Sequence, residues 1–99
     1  LVISATEENL VMEKAKILRE EIIRNVNESM NLTQNDFISD AFKSPIYKIN
    51  GRYRYQIFFK FERKNILKIK KIIKKCVGKF REREKKVRVT IDVDPLNMM

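Results

Sequence analysis

The stretch Asn50-Gly51-Arg52-Tyr53-Arg54-Tyr55-Gln56-Ile57-Phe58-Phe59-Lys60-Phe61 decides how this chain folds. Asn and Gly both tolerate positive φ, so Asn50-Gly51 marks a tight hairpin turn, with residues 46–49 as the incoming arm. Residues 52–61 are the most β-prone run in the chain. Side chains of a strand alternate between its faces, so Tyr53, Tyr55, Ile57, Phe59 and Phe61 share one side, while Arg52, Arg54, Gln56, Phe58 and Lys60 share the other. One face is apolar and the other mostly basic. A register slip of one residue would instead expose Tyr53 and Tyr55 as a stacking platform, but the continuation through Ile57, Phe59 and Phe61 argues against it.

Working outward, Ile66, Ile69, Ile73, Cys76 and Phe80 recur at spacings of three and four, which predicts an amphipathic helix over 64–77 with Gly78 just past its end. Its outer face is almost all lysine. Residues 86–93 alternate again, with Val87, Val89, Ile91 and Val93 on one side, until Pro95 ends pairing. On the N-terminal side, Leu1 to Ala5 form a β-prone run. Thr6-Glu7-Glu8 then supplies a cap and two carboxylates for a helix over 7–28, whose stripe is Val11, Ala15, Leu18, Ile22 and Val26. Residues 27–36 read as a loop and 37–42 as a weak strand that Pro45 interrupts. The order β, α, β, β, α, β predicts an α+β, ferredoxin-like domain: a four-stranded antiparallel sheet with both helices on one face. The helix-free sheet face then carries Arg52, Arg54, Gln56, Lys60, Arg88, Thr90 and Asp92.

Composition narrows the function. The chain has 99 residues, 43% hydrophobic and 35% charged, with two Gly and two Pro, as expected of one folded domain spanning residues 1–99. The apolar start at Leu1 reads as a piece of something longer. No run approaches the roughly 20 apolar residues that a membrane span needs, and a soluble, intracellular monomer is expected. The single cysteine and the absence of histidine remove an internal disulfide, the usual zinc sites and His-based acid/base chemistry. No glycine-rich phosphate loop and no nucleophile–base spacing is present, so catalysis is not expected. Asp92 and Asp94 share a strand face, but two carboxylates make a poor metal site. An ion pair of Asp92 with Arg52 or Arg54 is the simpler expectation. Cys76 lies in an apolar stripe and reads as core.

The formal charge of +9 is uneven: residues 1–36 carry net −3 and residues 60–86 carry net +10. An acidic partner, nucleic acid or an acidic peptide, is expected. Two constellations present themselves. Arg52, Arg54 and Gln56 line one strand face at steps of about 7 Å, a row of two guanidinium forks and an amide suited to phosphates or a peptide carboxylate. Lys64, Lys68, Lys71 and Lys75 on the second helix suit nonspecific phosphate contacts, which would fall steeply with salt.

The segments Gly51-Arg52-Tyr53-Arg54-Tyr55-Gln56 and Ile91-Asp92-Val93-Asp94-Pro95, with the opening Ile3-Ser4-Ala5-Thr6 strand-to-helix step, resemble the C-terminal domain of primosomal protein N-prime, the bacterial replication-restart DNA helicase. The resemblance runs over essentially the whole chain. It implies a parent ATP-dependent helicase of the bacterial cytoplasm and nucleoid that recognises abandoned forks. ATP, magnesium and zinc would belong to that parent, with no cofactor in residues 1–99. It implies further that the domain contributes to forked or single-stranded DNA binding, works with other primosome proteins, and helps form a pocket for the acidic C-terminal tail of single-stranded-DNA-binding protein. Arg52 and Gln56 are the positions this resemblance assigns to the pocket, with Arg54 beside them. The expected DNA contacts are Arg54, Lys60, Lys64, Lys68, Lys71, Lys75 and Arg88. The contrasting expectation is a purely structural domain that buttresses the helicase core. A ribosomal-type or regulatory ferredoxin-like domain is a third, disfavoured by the paired motifs.

Overall fold

The computed structural model describes residues 1–29 and 36–91. In chain order the elements are β1 (Val2–Ala5), α1 (Glu8–Ser29), β2 (Phe37–Ile38), β3 (Phe42–Ile49), β4 (Arg52–Gln56), β5 (Phe59–Lys60), a single 3-10 turn (Arg63–Asn65), α2 (Ile66–Arg83) and β6 (Arg88–Thr90). The main sheet has the order β3-β4-β1-β6 with every neighbour antiparallel, and β2 and β5 form a separate two-stranded ribbon. With α1 and α2 on one face, this is the ferredoxin-like arrangement that the alternation predicts.

The core lies between that face and the helices. Val11, Ala15, Leu18, Ile22 and Val26 of α1 are fully buried against Ile3, Ala5, Tyr55, Ile57 and Val89, the inward alternate positions of the strands. From α2 come Ile69, Ile73, Cys76, Val77 and Phe80. Phe80 is the largest fully buried side chain, and burying such a residue favours folding by roughly 1.5–3 kcal/mol. Charged clips close the edges of the layer. Lys14 meets Glu84 at 2.9 Å, Arg83 meets Glu21 at 2.6 Å, and Arg19 donates to the Ser39 carbonyl at 2.7 Å.

Three features depart from the sequence reading. Helix α2 does not stop at Gly78 but runs to Arg83, because Val77 and Phe80 are buried one turn apart and hold the chain helical through the glycine. Their burial outweighs the roughly 1 kcal/mol that a helical glycine costs. Pairing with β4 does break around Pro45, between Lys43 and Lys48, but the strand does not end there: β3 starts at Phe42 and continues past the proline to Ile49, as an edge strand tolerates. Finally, the run 52–61 is not one strand. Beyond Gln56, Ile57 donates to the Leu1 carbonyl at 3.0 Å, and Phe58 turns away to exchange hydrogen bonds with Ser39 at 2.8 and 2.9 Å. Lys60 therefore pairs with Phe37 in the small ribbon rather than standing on the main sheet.

The hairpin turn is as read: Asn50 has φ 51° and Gly51 φ 77°, the two positive values of a tight two-residue hairpin, closed by the Ile49–Arg52 pair. The expected contact of Asp92 with Arg52 or Arg54, and the positions of Val93, Asp94 and Pro95, lie outside the described residues.

Candidate anion-binding surface

Strand register places the outward side chains. Ser4 of β1 stands between Arg54 of β4 and Arg88 of β6, and Val2 stands between Gln56 and Thr90. Phe42 of β3 lies opposite Gln56 and touches Phe58, with ring centroids 5.1 Å apart. The helix-free face is thus a basic and amide field, Arg54, Arg88 and Gln56 around Ser4, bordered on one side by an aromatic pair. Adjacent strands are about 4.8 Å apart, so Arg54 and Arg88 straddle Ser4 at roughly twice that spacing.

Arg52 closes the row on β4. Its Nη2 donates to the Ser4 carbonyl at 3.0 Å and its Nε donates to the Ser4 hydroxyl at 3.3 Å, so the guanidinium is held over β1. The expected inward turn of the tyrosines holds for Tyr55, which is 6% exposed, and Tyr53 packs partly buried against the core. Rings inward and guanidiniums outward is the arrangement of the central ribbon.

At the Arg52 end the sheet face opens into a cleft of about 440 Å³. Thr6, Glu7 and Leu10 at the start of α1 form one wall. Arg52 and Arg88 form the sheet side, and Lys85 and Lys86 of the turn before β6 form the rim. The ion pairs of Lys14 with Glu84, Arg19 with Asp40, Lys64 with Glu62 and Arg83 with Glu21 involve none of the cleft cations. The sequence reading missed Lys85 and Lys86 as site residues. Their signal was a paired lysine between the end of a helix and a strand that begins with Arg88, but only the fold shows Arg52 facing them.

The lysine-rich helix belongs elsewhere. The inward faces of β1, β4 and β6 meet the helices, so Lys68, Lys71 and Lys75, exposed on α2, are on the layer opposite Arg54 and Arg88. Lys64 lies in the 3-10 turn and meets Glu62 at 3.4 Å. The residues expected to contact DNA therefore separate into Arg54 and Arg88 on the sheet face, Lys60 on the small ribbon, and the remaining lysines along the helix layer.

Among the described residues no catalytic constellation emerges. The Cys76 thiol is buried, and desolvation followed by the nearby Glu21 carboxylate raises its pKa, the wrong direction for a nucleophile. Among the described residues no group of three or more His, Cys, Asp or Glu side chains is placed to hold a metal ion. No helix in the described residues is long and apolar enough to cross a membrane.

Comparison with curated proteins and with solved structures returns no match. Comparison with protein families matches residues 1–96 to the Primosomal protein N C-terminal domain. That match spans both segments that carried the resemblance, the hairpin strand from Gly51 to Gln56 and the stretch from Ile91 to Pro95. The chain belongs to the primosomal protein N C-terminal domain family.

Proposed function

We propose that this domain is a noncatalytic module of a bacterial replication-restart DNA helicase, and that its open sheet face receives the acidic C-terminal tail of single-stranded-DNA-binding protein at Arg52, Arg54 and Gln56. The observation that carries this reading is the hold of Ser4 on Arg52. A guanidinium oriented in advance, with no carboxylate of the described residues in its grasp, is a ready receptor for a terminal carboxylate. DNA contact through Arg54, Arg88 and the α2 lysines accompanies it, with ATP, magnesium and zinc belonging to the parent's motor. In this reading the protein works as a monomer in the bacterial cytoplasm, at the nucleoid, beside other primosome proteins.

Titration of an acidic-tail peptide against the wild type and Arg52→Ala/Gln56→Ala, by calorimetry on the parent helicase, tests the assignment. Affinity should fall at least about tenfold, in line with the loss of a charge-assisted pair worth roughly 1.5–3 kcal/mol. Equal affinity removes these residues from the pocket.

A second reading, a domain that buttresses the helicase core without touching ligand, draws on Phe37, Ile46 and Phe58, which are 57%, 60% and 60% exposed. Apolar side chains so placed suit contact with a neighbouring domain. Under that reading, replacing Phe37 and Phe58 destabilises the parent while replacing Arg52 and Gln56 changes nothing.

A further inference from the structure

We infer that the groove between α1 and α2, lined entirely by helix residues, is a binding site for a compact diphosphate group held by Arg24, Lys75 and Lys79. It shares no residue with the peptide reading above and does not depend on it. The groove measures about 220 Å³, with Glu21 and Arg24 contributed by α1 and Lys75, Cys76, Lys79 and Arg83 by α2. Glu21 is the one carboxylate in this lining, and Arg83 already holds it at 2.6 Å. Arg24, Lys75 and Lys79 enter none of the ion pairs described above. Three cations therefore stand together with no counter-charge of their own among the described residues. Lys75 and Lys79 are also four residues apart on one helix, a like-charge spacing that opposes the helix carrying it. Local conflicts of this kind are kept where a site needs them. All three cations act on the Cys76 thiol as well, each drawing its pKa down against the stronger upward pull of burial and then of the Glu21 carboxylate. Their charges thus converge on one floor.

Charge and size choose the ligand. A backbone phosphodiester carries a single negative charge, fewer than three gathered cations can take. One phosphomonoester group carries about −1.5 to −2, and a diphosphate carries more. The volume of about 220 Å³ lies below the roughly 300–1,000 Å³ of pockets that enclose drug-sized organic ligands. The groove admits a compact anion and leaves any sugar or base attached to it in solvent. Lys75 and Lys79 suit this task as point charges on flexible stems, and Arg24 adds a planar fork from the facing helix. A bound diphosphate bridges α1 and α2, beside the pair that Arg83 makes with Glu21.

Calorimetric titration of inorganic diphosphate into the chain, at constant ionic strength, tests the site. The wild type should bind it saturably. Lys75→Ala/Lys79→Ala should weaken binding at least about tenfold, as expected when charge-assisted contacts are lost, and Arg24→Ala should act in the same direction. All three side chains are exposed, and the circular dichroism of each variant should match the wild type. Cys76, the single cysteine of the chain, reports from the floor of the groove. Its reaction with N-ethylmaleimide should slow as diphosphate saturates the wild type and stay unchanged in the double variant. Lys43→Ala/Lys48→Ala, on the edge strand β3, removes the same charge elsewhere and should bind diphosphate like the wild type. If it loses as much as the groove variants, the effect is the general field of a basic protein and the site is overturned. Groove variants that bind diphosphate like the wild type overturn it equally. Sulfate that binds as tightly as diphosphate overturns it too, since the groove then only gathers counter-ions. Titration of adenosine diphosphate separates the two sources of the group: affinity equal to that of inorganic diphosphate assigns the site to a nucleotide, and weaker binding assigns it to the free ion.

Discussion

The Arg52 guanidinium is fastened to Ser4, at 3.0 Å from its carbonyl and 3.3 Å from its hydroxyl, so two adjacent strands share one oriented cation. A free arginine carries about 2 kcal/mol of rotamer entropy, part of which must be given up on binding. Held across β1, Arg52 has already given up some of it during folding. The same contact explains why a serine stands on the open face of a central strand, where a larger side chain would cover the guanidinium.

Ser4→Ala should therefore keep the fold and weaken acidic-peptide binding about threefold, the size expected for losing one orienting hydrogen bond of about 0.5–1 kcal/mol while the carbonyl contact survives. Arg52→Lys should lose more, because an ammonium cannot grip a backbone carbonyl and a carboxylate with one rigid fork. Calorimetric titration of both variants checks this. Peptide affinity untouched by Ser4→Ala means that Ser4 does not orient the receptor.

Much of this surface was legible in sequence because burial leaves a period. The α1 stripe from Val11 to Val26 and the alternation Arg52, Arg54, Gln56 were read from spacing and hold in three dimensions. Where local chemistry and burial conflict, local chemistry misled. Gly78 looked like a helix end, yet Phe80 beyond it already continued the apolar stripe, and that was the better signal. The turn of Phe58 toward Ser39 left no trace in the pattern, since Ile57, Phe59 and Phe61 keep alternating while the backbone changes sheet. The cleft was invisible for another reason. Arg52 and the Lys85–Arg88 segment are over thirty residues apart, and only the order β4-β1-β6 brings them to one end of the sheet.

Gly78 supplies a prediction about stability. It lies inside α2, exposed, and a Cβ built there meets nothing within 4 Å. Gly78→Ala should stabilise the domain by about 0.5–1 kcal/mol through helix propensity alone. Gly51→Ala is the contrast. Space is open there as well, but φ is +77°, so a side chain strains the hairpin and should cost roughly 1 kcal/mol. Urea unfolding followed by circular dichroism separates them, with the midpoint rising for the first and falling for the second. A fall for Gly78→Ala would place the helix end where the sequence first suggested it.

Tyr47 on β3 gives a prediction about pH. Its hydroxyl is enclosed and makes no hydrogen bond among the described residues, while its ring packs against Tyr53 and Tyr55 with centroids 5.3 and 6.0 Å away. Desolvation, reinforced by the Glu8 carboxylate and by Tyr55, pushes the hydroxyl pKa well above its ordinary value of 10.0. A phenol whose pKa is higher folded than unfolded contributes stability that is complete below pH 10.0 and is lost as pH rises from there toward the folded value, because the unfolded chain releases its proton first. Tyr47→Phe removes both the unsatisfied hydroxyl and that linkage while keeping the ring contacts. The urea midpoint at neutral pH should stay level or rise, and above pH 10 the variant should lose stability less steeply than the wild type. A lower neutral midpoint, or parallel alkaline slopes, would mean that the hydroxyl has a partner in solution and is not enclosed as the fold places it.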